Sequence, residues 1–157
     1  MNPQKEIQNT CTKRGNRILV VDDDASVRQM LARVLTGEGY QVWTATNGSA
    51  AVEIATAAHP ELVLLDLNMP GTGGWETFQQ LVTNQPSLTV VVITAQPNQL
   101  FTALNAGVAA LLEKPLNFPA LLRTISDLLT ESPRERRDRV EGKPADFHYI
   151  YGRKNEP

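Results

Sequence analysis

Four apolar runs in this chain end on side chains that do not belong in a core. Ile18–Val21 is followed by Asp22, Asp23 and Asp24, Leu62–Leu65 by Asp66, Thr89–Ile93 by Thr94, and Ala109–Leu112 by Glu113 and Lys114. Neighbouring carboxylates repel one another and resist burial, so something must offset their cost. A hard divalent cation bound through carboxylate oxygens would do so, and Mg²⁺ suits because it takes few protein ligands and keeps several waters. Taken singly, each residue has an ordinary explanation. Asp24 reads as a cap or first-turn acid for a helix beginning near Ala25, and Asp22 and Asp23 as solvated loop acids. Thr94 reads as a β-branched strand residue and Lys114 as a surface lysine before a proline. Acid, acid, hydroxyl and amine carry weight together, provided the fold brings all four strand ends to one edge.

The segment from Arg17 to Thr130 supplies such a fold. Ile18–Val21, Gln41–Thr44, Leu62–Leu65, Thr89–Ile93 and Ala109–Leu112 are short runs whose Val, Ile and Leu content is what strands buried on both faces of a parallel sheet require. Segments of helical period alternate with them. Val27, Met30, Leu31, Val34 and Leu35 share one helix face, and Gly37 and Gly39 supply its stop. An Ala-rich segment follows Asn47, and Trp75, Phe78, Leu81 and Val82 mark a helix after Gly74. A fourth helix is expected from about Asn98 to Ala106, closed by Gly107, and a fifth is capped by Asn117. This strict alternation predicts an α/β fold, a doubly wound (βα)5 flavodoxin-like sandwich with a five-stranded parallel sheet of order 2-1-3-4-5. Ligands of such sheets bind beyond the carboxyl ends of the strands where the order switches direction. Strands one and three, as neighbours, would bring Asp22, Asp23 and Asp66 to one pocket.

At 157 residues the chain fits one domain, residues 17–130, with a polar leader (1–16) and a charged tail (131–157) that carries no separate output domain. No apolar stretch approaches the roughly 18 residues of a membrane span, and the leader lacks the apolar middle of a secretory signal, so the chain reads as cytoplasmic. Cys11 is the single cysteine, which excludes an internal disulfide and a thiolate metal cluster. Residues 17–130 hold ten acids against five bases, and an acidic body without a basic stripe argues against direct nucleic-acid binding. Within the tail, Phe147, Tyr149 and Tyr151 of "FHYIY" alternate like one face of a short strand. That stretch reads either as an end held loosely or folded onto the domain, or as a docking peptide for a partner.

The motifs "ILVVDDD", "LVLLDLNMPGTGG", "VVVITA" and "LLEKP", in this order and spacing, resemble those of the receiver domain of bacterial two-component response regulators. The resemblance implies that Asp66 is the phosphoacceptor and that Asp23 and Asp66 bind Mg²⁺ with the backbone carbonyl of Asn68. It implies that Asp22 acts mostly through metal-bound water, and that Thr94 and Lys114 contact the phosphoryl group. The donor would be a phosphohistidine on a sensor histidine kinase or histidine phosphotransfer protein, and the output a changed affinity for a downstream protein. By the same resemblance Asn68 and Gln96, two places after the phosphoacceptor and the threonine, modulate the phosphoryl lifetime. The family's aromatic residue three places before the lysine is Leu111 here, for which strand packing is the simpler reading. The chain is then a signalling protein that catalyses only its own phosphorylation and dephosphorylation. A homodimer through the face of helix four, strand five and helix five belongs to the same expectation.

Other readings fit less well. A phosphatase of the haloacid dehalogenase type carries a second Asp where Asn68 stands. A flavin phosphate would be repelled by three aspartates after strand one. A phosphorylation-independent receiver serving as a protein-interaction module is the alternative that Leu111 leaves open.

Overall fold

The computed structural model describes residues 16–69, 73–96, 98–131, 134–135, 138 and 148–150. Most of the leader and tail, including Cys11, Phe147 and Tyr151, lies outside the described residues. Strands β1 (Arg17–Val21), β2 (Gln41–Ala45), β3 (Leu62–Asp66), β4 (Thr89–Thr94), β5 (Ala110–Glu113) and β6 (His148–Ile150) form one sheet. Its order is β2-β1-β3-β4-β5-β6 and every pairing is parallel. Helices α1 (Ala25–Gly37), α2 (Gly48–Ala58), α3 (Gly74–Asn84) and α4 (Leu100–Ala106) connect the first five strands, and α5 (Phe118–Leu129) follows β5.

Alternation along each strand divides the core in two. Leu19, Val63, Val90 and Leu111 face α2, α3 and α4, meeting Ala51, Ala55, Phe78, Leu81 and Ala103. Ile18, Leu62, Val91 and Leu112 face α1 and α5, meeting Leu31, Leu35, Leu121, Ile125 and Leu128. All residues of β3 and β4 are buried, as central parallel strands demand. Three helices start on side chains that accept their first free amides: Asp24 from Ser26 and Val27, Asn47 from Ala50, and Asn117 from Ala120. Asp24 is thus committed to capping.

The architecture is the expected doubly wound sandwich; β1 to β4 each extend one residue beyond the expected run, and there are further local differences. β5 runs one residue later than the apolar run suggests, from Ala110 to Glu113. α4 begins at Leu100 rather than near Asn98, whose left-handed backbone (φ 64°) cannot continue a helix. Met30 is 51% exposed, because it lies roughly 120° around α1 from the midpoint of the buried Leu31 and Leu35. The sheet also has a sixth strand, three residues long, that adds His148–Ile150 to the outer edge of β5.

Candidate functional site

β1 and β3 are direct neighbours, with Val21 paired to Leu65, so the residues that follow these two strands emerge side by side. Asp22 follows β1 and is 1% exposed; Asp66 is the last residue of β3 and is 2% exposed. Asp23 is exposed beside them. One carboxylate oxygen from each of Asp22, Asp23 and Asp66 lies within 4.8 Å of the others.

Short backbone contacts fix these side chains. Asp22 Oδ1 accepts the amide of Asp24 at 2.9 Å, and Asp66 Oδ1 accepts the amide of Asn68 at 2.9 Å. Asp22 is held further through its main chain, since its N–H donates to Ala45 O at 3.2 Å and its carbonyl accepts from Arg28 Nη1 at 2.8 Å. Arg28 was not singled out in the sequence, because its partner is a carbonyl and leaves no side-chain signature.

Lys114 comes in from two strands away. Its amide donates to Thr94 O at 2.8 Å, and its ammonium lies 3.4 Å from both Asp22 Oδ2 and Asp66 Oδ2. Burial alone would lower the Lys114 pKa, but the negative charges of Asp66 and Asp22 and hydrogen bonds to both outweigh it, so the net shift is upward. Burial raises the Asp22 carboxyl; the Asp24 amide pulls it down, the Asp66 charge pushes it up, and Lys114 pulls it down again. Thr94 closes β4 with its hydroxyl accepting the amide of Gln96 at 2.9 Å. Gln96 Oε1 accepts from Gln99 Nε2 at 3.3 Å, and Gln99 Oε1 accepts from Trp75 Nε1 at 3.0 Å, so the loop after β4 is tied to α3. Leu111 is buried on the side of the sheet that faces α2–α4.

The loop after β3 is held by a close approach that no sequence pattern announced. A Cβ on Gly74 would lie 2.5 Å from Leu67 Cα and 3.0 Å from Leu67 O, so the first turn of α3 rests directly on the backbone beside Asp66. The sequence-derived residues Asp22, Asp23, Asp66, Thr94 and Lys114 are therefore brought together at one edge, with Asn68 and Gln96 adjoining them. Three clustered carboxylates form a hard oxygen donor set that fits a cation such as Mg²⁺.

Residues 18–126 match the family model described as response regulator receiver domain. The chain belongs to the receiver domain family of response regulators. Among related proteins, the response regulator MprA of Mycolicibacterium vanbaalenii is 37% identical over 115 residues, covering 72% of this chain and 50% of MprA. The transcriptional regulatory protein GlrR of Escherichia coli is 33% identical over 117 residues, which are 73% of this chain and 26% of GlrR. The chain thus spans from about a quarter to about half the length of the curated relatives it matches. Among solved structures, a CheY-like receiver domain protein from Methanospirillum hungatei superposes with a TM-score of 0.70 at 27% identity, covering 78% of this chain and 97% of that one. TrrA of Thermotoga maritima, solved in complex with Mg²⁺ and BeF, superposes with a TM-score of 0.67 at 30% identity over 72% of this chain and 98% of its own. None of the described helices is long and apolar enough to cross a membrane.

Proposed function

We propose that Asp66 accepts a phosphoryl group from a phosphohistidine on a sensor histidine kinase or histidine phosphotransfer protein, in a Mg²⁺-dependent reaction. The phosphorylated receiver would then signal by binding a downstream protein differently. The observation that carries this reading is the convergence of Asp66 with two further carboxylates and the Lys114 ammonium at one sheet edge.

A carboxylate oxygen of Asp66 attacks phosphorus while the P–N bond to the donor imidazole breaks; the imidazole keeps the electron pair, and an acyl phosphate remains on Asp66. Such transfer asks for positioning and for positive charge around the moving oxygens more than for covalent chemistry. Lys114 supplies one such charge, and the Thr94 hydroxyl is a donor that can turn toward the phosphoryl oxygens. Asp23, Asp66 and the Asn68 carbonyl are the groups proposed to hold Mg²⁺, with Asp22 acting through bound water. When bound, the ion offsets the carboxylate charge and neutralises the transferred oxygens. TrrA, a relative solved in complex with Mg²⁺ and BeF, supports Mg²⁺ as the ion. Asn68 and Gln96 are proposed to set the rate at which water removes the phosphoryl group.

Residues 17–130 are taken as the receiver, flanked by 1–16 and 131–157, in a cytoplasmic setting. β6 covers the outer edge of β5. A homodimer on the expected face would therefore form through α4 and α5, where Leu104 is exposed.

Intact-mass measurement after incubation with Mg²⁺ and phosphoramidate tests the reading. One phosphoryl adduct is expected, absent with chelator and in Asp66→Asn. The buried Leu111 favours a second reading, a module whose binding does not depend on phosphorylation. An adduct that leaves backbone amide chemical shifts unchanged beyond the site itself would select that second reading.

A further inference from the structure

The strand that covers the outer edge of β5 comes from beyond residues 18–126, the part of the chain that matches the receiver family model. Ala110, Leu111 and Leu112 pair in parallel with His148, Tyr149 and Ile150. Leu111 and Tyr149 stand on the sheet face that meets α2–α4, and Leu112 and Ile150 on the opposite one. Strand alternation places Glu113 on the same face as Leu111. The Tyr149 hydroxyl donates to Glu113 Oε2 at 2.6 Å, so the phenol reaches two residues along β5 to the end of the strand. Glu113 is in turn the register partner of Thr94 and the residue before Lys114.

Without β6, β5 would present unpaired amides and carbonyls from a strand whose apolar side chains are already buried, which is a template for another strand. The strand that covers it is three half-buried residues long, at the low end of what local opening releases. Its register is nevertheless specified. A slip of one residue would move the Tyr149 ring to the wrong face and separate its hydroxyl from Glu113.

We propose that the outer edge of β5 is a strand-docking surface, and that the chain's own segment 148–150 is its exchangeable ligand in cis. The Tyr149–Glu113 hydrogen bond sets its register and specificity. The ligand class is an extended peptide with a phenol on one face and an apolar residue next to it on the other, added by strand pairing. Tethering gives the segment a high effective concentration, so free peptide competes with it poorly. The inference concerns the β5 edge alone and does not depend on phosphorylation of Asp66.

The test uses full-length chains and a fluorescein-labelled synthetic peptide of residues 145–153. Ile150→Pro removes an amide that a parallel ladder directs toward β5, as well as the apolar anchor, and so frees the edge. Peptide affinity is expected to be at least about tenfold higher for Ile150→Pro than for wild type. Replacing Tyr by Phe at position 149 of the peptide, or Glu113→Gln in the receiving chain, is expected to weaken binding by about fivefold or more. The double variant Tyr149→Ser, Ile150→Ser gives the same comparison without a proline. Equal or absent binding to variants that keep wild-type circular dichroism would overturn the proposal. Loss of fold in both variants would overturn it too, since an exchangeable strand cannot be needed for folding.

Discussion

Lys114 Nζ lies 3.4 Å from Asp66 Oδ2, spanning from the end of β5 to the end of β3 across the strand between them. It lies equally close to Asp22 Oδ2, so one cation holds two buried carboxylates. Removing it leaves each with a backbone amide but no ammonium countercharge. Lys114→Ala is expected to destabilise the metal-free protein by about 1–3 kcal/mol, less than a fully buried pair would lose because the ammonium reaches solvent. Urea unfolding in chelator measures the loss, and saturating Mg²⁺ is expected to restore most of it. An unchanged midpoint would show that the two carboxylates do not need the lysine.

Asp23 is the exposed member of the carboxylate cluster and has the least structural reason to be there. Asp23→Asn is therefore expected to leave stability within about 0.5 kcal/mol, as surface substitutions usually do. Mg²⁺ affinity, by contrast, is expected to fall on the order of tenfold or more in calorimetric titration. Equal affinity in the variant would remove Asp23 from the metal site.

The Asp22 carboxyl is raised mainly by burial. A folded-state value above the unfolded one means that the native protein binds this proton more tightly. The associated stability is complete below the unfolded value and is lost as pH rises through the folded one. Metal-free wild type is thus expected to lose stability relative to Asp22→Asn as pH rises from about 4 toward neutrality, with Mg²⁺ reducing the difference. Urea midpoints across that range measure it, and a difference of opposite slope would contradict the assignment.

Gly74 supports the site from outside it. Gly74→Ala would put a methyl 2.5 Å from Leu67 Cα, so α3 or the loop that carries Leu67 and Asn68 next to Asp66 must shift. The expected cost is about 1–3 kcal/mol, as for other overpacked sites. Slower phosphorylation of a chain that still folds is expected alongside it. Thermal unfolding and phosphorylation rate measured together check this, and wild-type behaviour in both would contradict it.

What the sequence could reveal follows from the range of each interaction. The first four strands and the caps at Asp24 and Asn117 are local patterns, and the structure ends those strands within a residue of their apolar runs. Asp22, Asp66, Thr94 and Lys114 were legible because each interrupts an apolar run at the same end of a strand. Arg28 and Gly74 were not, since one meets a backbone carbonyl and the other matters through a distance between backbones. The tie from Gln96 through Gln99 to Trp75 joins neutral polar side chains up to 24 positions apart and carries no periodic signal. β6 was only hinted at, by the alternation around Tyr149, because three residues are too few to distinguish a strand from an extended end.

The central claim is that the phosphoryl group resides on the Asp66 carboxylate. Borohydride reduction converts an aspartyl phosphate to homoserine, which tandem mass spectrometry locates by residue. After incubation with Mg²⁺ and phosphoramidate, homoserine is expected at position 66 and to vanish when chelator replaces Mg²⁺. An unmodified Asp66 in a chain shown to bind Mg²⁺, or homoserine at another aspartate, would contradict the account.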